Sequence, residues 1–129
     1  MKMTTKEELS KVEEAVNYYI KGAIKRDFEY LAKGWHDKAK MFGIGKEKKL
    51  VIYDKSFWKE NLEKPIDDPK YKRTSEILSV DIVGTIASAK VKTVVESSKG
   101  SVIFMDLLNL LKINDSWQIV NKIFDATHE

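Results

Sequence analysis

The stretch SVDIVGTIASAKVKTVVESSKGSVIFMDLLNLLKINDSWQIVNKIF, residues 79–124, decides the fold. Its apolar residues recur with a period of two and turn residues interrupt them at short intervals, the pattern of three consecutive antiparallel hairpins. Gly84-Thr85 reads as a two-residue turn with glycine first, pairing Val83 with Ile86, Ile82 with Ala87, Val80 with Ala89 and Leu78 with Val91. Asp81, Ser88, Lys90 and Lys92 then share the other face, so this hairpin has one apolar and one polar side. A four-residue loop, Ser97 to Gly100, pairs Glu96 with Ser101, Val95 with Val102 and Val91 with Asp106. Asn114-Asp115 closes the third hairpin before Trp117 to Phe124.

One acid stands inside the most apolar of these strands. In the register above, Asp106 projects from the same face as Val91, Ala89 and Leu108, while Ala87 and Ala89 leave room there for a helix or a ligand. Burying a carboxyl group costs free energy unless a cation or hydrogen-bond donors compensate. A one-residue change in the loop puts Asp106 beside Lys90 or Lys92 on the polar face instead, an exposed ion pair worth about 0–1 kcal/mol. Met105, Leu107, Leu111 and Ile113 cover the face opposite Asp106. A sheet apolar on both sides needs two partners, so helices are expected on one face and a second subunit, in a homodimer, on the other.

Upstream the period is helical. Thr4 or Thr5 ahead of Glu7 and Glu8 marks a capped helix start, and Leu9, Val12, Val16, Tyr19, Ile20 and Ala23 form its apolar stripe. Asp27 caps a second, shorter helix whose Phe28, Leu31, Ala32 and Trp35 face inward. His36 to Lys40 links it to a short strand of Met41, Phe42 and Ile44, ended by Gly43 and Gly45. Leu50 to Tyr53 is a second short strand, and Asp54 or Ser56 caps a third helix carrying Phe57, Trp58 and Leu62. The polar stretch that holds Pro65 and Pro69 is a loop between the helical and strand halves. Nothing splits the chain, so residues 1–129 are expected to form a single domain of α+β class.

Three segments, Val16 to Phe42 (VNYYIKGAIKRDFEYLAKGWHDKAKMF), Val80 to Val95 (VDIVGTIASAKVKTVV) and Phe104 to Phe124 (FMDLLNLLKINDSWQIVNKIF), resemble the nuclear transport factor 2 (NTF2)-like superfamily. The likeness is greatest to its "putative lumazine-binding" branch, with ketosteroid isomerases and polyketide cyclases as relatives. The resemblance implies a cystatin-like cone: N-terminal helices packed on a strongly curved antiparallel β-sheet, with a pocket between them, commonly paired as a homodimer. Against the ketosteroid isomerase pattern, Tyr19 falls where a helix-1 tyrosine belongs and Asp106 where a protonated acid belongs, the donor pair for an oxyanion. The general base position falls at or near Gly43, which has no side chain to serve.

The expected ligand-binding set is therefore Tyr19 and Asp106 as polar contacts with Leu108 beside them, and His36 as a further titratable candidate. Trp35, Met41, Tyr53, Phe57 and Trp58 supply apolar walls suited to a flat heteroaromatic molecule such as a pteridine. The first expectation is a domain binding an unidentified small molecule. The alternatives are an isomerase, cyclase or dehydratase with Tyr19 and Asp106 as oxyanion donors, and a non-catalytic interaction module whose cone is filled by its own Trp35, Phe57 and Trp58.

Composition narrows the remaining classes. With 43% hydrophobic and 33% charged residues, the 129-residue chain is an ordinary folded protein. The 23 basic and 20 acidic residues are interspersed, and the densest basic run, Lys46 to Lys49, contains Glu47, so no nucleic-acid partner is expected. No cysteine and only two histidines, His36 and His128, argue against disulfides and zinc, so neither a metal nor a cofactor is expected. No apolar run reaches the roughly 18 residues of a membrane span, and Met1 to Glu8 is too polar for a signal peptide. A cytoplasmic protein is the expectation.

Overall fold

The computed structural model describes residues 5–129. Helix α1 (Thr5–Lys25) and the short α2 (Phe28–Ala32) lead into β1 (Trp35–Ile44), β2 (Leu50–Asp54) and α3 (Lys55–Glu63). Four long strands follow: β3 (Lys72–Val83), β4 (Ile86–Ser97), β5 (Gly100–Ile113) and β6 (Ser116–His128). All six strands form one sheet in the order β2-β1-β6-β5-β4-β3. The helices cover one of its faces. The expected N-terminal cap at Thr4 lies outside the described residues, whereas Thr5 is already helical.

The three hairpins form where the turn residues put them. Gly84 (φ 58°) opens the first turn, and Asn114 and Asp115 (φ 49° and 63°) both take the left-handed conformation that a two-residue hairpin loop requires. The second loop is tighter than expected, because Ser97 and Gly100 also pair and leave only Ser98 and Lys99 in the turn. Val91 faces Asp106 as the register requires. Leu78 does not face Val91: a β-bulge hands that place to Ile77, and Leu78 is left 44% exposed.

Four further departures shape the inner face. Helix α2 stops at Ala32, so Trp35 is the first residue of β1 and His36 to Lys40 belongs to that strand. Strand β1 runs on through Gly43 to Ile44, antiparallel to β2 and parallel to β6. Strand β3 begins at Lys72, inside the polar stretch read as loop. A bulge at Val120 in β6 lies between the pairs Asn109–Asn121 and Leu110–Ile119. Trp117 and Ile119 face the core before it, and the extra residue brings Lys122 inward while Ile123 turns outward at 51% exposure.

The core lies between the helices and this inner face. Val12, Val16 and Tyr19 of α1 and Leu31 of α2 meet Val91, Leu108, Leu110 and Ile119, all essentially inaccessible to solvent. Leu9, expected on the buried stripe, is 36% exposed at the first turns of α1. Glu8 ties that end of the helix to the sheet: its carboxylate accepts from Lys112 Nζ at 2.8 Å and from Trp117 Nε1 at 3.1 Å. Asp27 caps α2 by accepting from the Tyr30 amide, and Asp54 rather than Ser56 caps α3.

Candidate functional site

A cavity of about 460 Å³ opens between α1, α3, the loop after α3 and the inner face of the sheet. Its floor is polar and its walls are largely aromatic. Helix α1 brings Tyr19 against β5, and the Tyr19 hydroxyl donates to Asp106 Oδ2 at 2.8 Å. Lys122 Nζ donates to the same hydroxyl oxygen at 3.0 Å and lies 3.5 Å from Asp106 Oδ1. The three residues are 1%, 1% and 6% exposed, so the triangle is shielded from solvent.

Burial governs the protonation of two members. Desolvation, reinforced by the Asp106 carboxylate, raises the Tyr19 phenol well above its usual value, with Arg73 opposing, so the phenol keeps its proton and remains a donor. Desolvation pushes the Lys122 ammonium down to about 8, with Asp106 pulling the other way. Its positive charge also lies 5.2 Å from the ring centroids of Tyr19, Trp58 and Phe124, whose π faces attract a cation.

The walls are aromatic. Tyr53 and Phe57 lie with centroids 4.4 Å apart, and Phe124 stacks beyond Tyr53 at 6.5 Å. Trp58 meets the Tyr19 ring edge-on at 5.5 Å and donates its Nε1 to Met41 Sδ. Gly43 allows the Phe124 ring its place: a Cβ at residue 43 would come within 2.5 Å of Phe124 Cζ. The position that the resemblance assigns to a general base is thus occupied by the ring of its cross-strand neighbour.

Of the residues expected from sequence, Tyr19, Met41, Tyr53, Phe57, Trp58 and Asp106 line this cavity together. Three lie elsewhere. Trp35 is buried beneath the wall against Tyr19 and Trp58, because β1 rather than α2 carries it. Leu108 sits two residues along β5 from Asp106 on the same face but is sealed in the core. His36 is at the start of β1, where its Nδ1 accepts from the Lys38 amide, outside the cavity lining. The pair Tyr19 and Asp106 also takes a different form from two donors aimed at an oxyanion, since Asp106 is the acceptor of the Tyr19 proton and the neighbour of the Lys122 ammonium.

Four charged members of the lining are new, Arg26, Lys64, Arg73 and Lys122, and of these Lys122 and Arg73 act on Tyr19. Lys122 was concealed by the bulge at Val120, which reverses the alternation of β6. Arg73 lies in the part of β3 whose inward residues, Arg73, Ser75 and Ile77, are mostly polar and give no apolar alternation.

The fold agrees with that of known proteins. The chain resembles an NTF2-like protein of unknown function from Shewanella baltica, with 26% identity, a TM-score of 0.84 and coverage of 99% of this chain and 100% of that one. A similar protein from Silicibacter pomeroyi gives 25% identity and a TM-score of 0.78 over 97% of this chain and all of that one. An NTF2-like protein with a cystatin-like fold from Novosphingobium aromaticivorans, at 15% identity, shares the fold with a TM-score of 0.72 over 92% of this chain and 80% of that one. No curated protein matches. The family model described as "Putative lumazine-binding" matches residues 7–125, nearly the whole chain, and the protein therefore belongs to that family within the NTF2-like superfamily.

Proposed function

We propose that this chain is a single small-molecule-binding domain whose ligand occupies the cavity between α1, α3 and the sheet. The observation that carries this reading is an unfilled volume of about 460 Å³ with aromatic walls and a few convergent polar groups on its floor, the usual makeup of a ligand site. The family description supports a flat heteroaromatic ligand of the lumazine kind. Such a ring would lie against Tyr53, Phe57 and Phe124, with its carbonyl or ring nitrogens toward Tyr19 and Lys122. A panel of pteridines, flavins, steroids and aromatic acids followed by thermal shift and tryptophan emission tests it. A binder at about 100 times its dissociation constant stabilises by roughly 2.7 kcal/mol and should alter emission from Trp58. A panel that moves neither signal speaks against the reading.

The outer face of the sheet supports a second subunit. Ile52, Phe42, Ile123 and Leu107 are cross-strand neighbours in one row over β2, β1, β6 and β5, and Ile52, Ile123 and Leu107 are 53%, 51% and 44% exposed. A contiguous apolar row of this kind marks an interaction surface, and we assign it to a homodimer.

A further inference from the structure

The cavity carries more positive than negative charge. Among the described residues that line it, Asp106 is the single carboxylate, whereas Arg26, Lys64, Arg73 and Lys122 are cationic. Two of these have identified work. Lys122 faces Asp106, and Arg26 donates to the backbone carbonyls of Asn61 and Lys64, holding the loop after α3. Lys64 stands exposed at the rim.

Arg73 is different. It is half-buried on the inner face of β3, its guanidinium carbon lies 5.7 Å from the Trp58 ring centroid, and it lowers the pKa of the Tyr19 phenol by its charge and by a side-chain hydrogen bond to it. Its Nε is buried and has no hydrogen-bond partner among the described residues. A guanidinium stays charged at all ordinary pH values and offers a rigid fork of donors matched to a carboxylate. Buried donors are nearly always satisfied, and one left over beside a cavity calls for an acceptor. Lys122 lies 3.5 Å from Asp106, the one carboxylate among the described lining residues, so Arg26, Lys64 and Arg73 leave the lining net positive.

We propose that the ligand of this cavity is a flat aromatic or conjugated carboxylate, its anionic group received by the Arg73 guanidinium and its ring set among the aromatic walls. This deepens the small-molecule reading above and rests on it. A carboxylate suits this place because its planar pair of oxygens matches the fork of the guanidinium donors.

The matched pair 2-naphthoate and 2-naphthamide tests it, since the two share ring and shape and differ in charge. Titration calorimetry on the full chain should show the acid binding roughly tenfold or more tightly than the amide, the size of one charge-assisted hydrogen-bond pair. Arg73→Met, which keeps the stem against Trp58, should abolish that preference by weakening the acid far more than the amide. Arg73→Lys should retain part of it, and circular dichroism establishes that both variants fold. Equal affinity of acid and amide in the wild type overturns the proposal and leaves the small-molecule reading standing. A preference that survives Arg73→Met but vanishes in Lys122→Met also overturns it. Binding of neither compound at millimolar concentration overturns the proposal together with the reading beneath it.

Discussion

Gly43 and Phe124 are paired across β1 and β6, and the Phe124 ring occupies the space that a side chain at residue 43 would need. The consequence is one aromatic wall in place of a functional group. Gly43→Ala should destabilise by about 1–3 kcal/mol through overpacking, because the ring is held by its stack on Tyr53. Phe124→Ala removes the obstacle, so in the double variant the cost of the alanine at 43 should largely vanish. Urea denaturation of the four proteins gives the coupling directly, and additive effects would show that the ring yields freely.

Lys122 makes stability depend on pH in an unusual direction. Burial holds its ammonium at about 8 in the folded protein, against 10.5 for an ordinary lysine. Between those values the unfolded chain binds a proton that the folded lysine has released, so stability rises with pH over that window, and below it both states are protonated and the desolvation cost is borne in full. Relative to Lys122→Met, the wild type should gain on the order of 2 kcal/mol between about pH 7.5 and about pH 10. Tyr19 keeps its proton in this range, being raised well above 10.0. Urea titrations at the two pH values check it, and a wild-type-to-variant difference independent of pH would contradict it.

Glu8 joins α1 to the sheet through both carboxylate oxygens, one on Lys112 and one on Trp117. Glu8→Ala should cost about 1–3 kcal/mol, because the partly buried donors at both ends lose their acceptor. Glu8→Gln should cost less, since it still accepts one of the two bonds. Thermal unfolding of both variants distinguishes this from a surface ion pair, for which the two substitutions would each cost under about 1 kcal/mol.

The outer row predicts an assembly. Wild-type protein at micromolar concentration should scatter light as a dimer, and Ile123→Lys, which places a charge inside the row between Phe42 and Leu107, should scatter as a monomer with its fold intact. A monomeric wild type would remove the homodimer from this account.

How much of this was legible in the sequence follows from how each residue is held. The turns at Gly84-Thr85 and Asn114-Asp115 are local chemistry, so the hairpins could be read from spacing, whereas the direction of Asp106 hung on the register across the Ser97 to Gly100 loop and is decided by the pairing of Val91 with Asp106. Tyr19 could be placed because an uninterrupted helix preserves its period from Val12 to Ala23. Lys122 and Arg73 could not, for opposite reasons. A single extra residue at Val120 inverts every later side chain of β6, and the bulge is set by how β6 crosses between β5 and β1 rather than by its own composition. Arg73 faces inward from the start of β3, where Ser75 is likewise polar and no apolar alternation announces the strand. The parallel pairing of β1 with β6 joins segments some 80 residues apart, beyond the reach of local patterning.

The central claim is that a small molecule enters between α3 and the inner face of the sheet, and a nuclear magnetic resonance titration tests it most directly. With the tightest binder of the panel, the Trp58 indole N–H and the Met41 methyl, both at the cavity, should shift together and saturate in a single isotherm, while the Leu107 and Ile123 methyls on the outer face remain still. Tyr19→Phe should weaken the binding without moving its location. Shifts gathered on Leu107 and Ile123, with Trp58 and Met41 unmoved, would contradict the account.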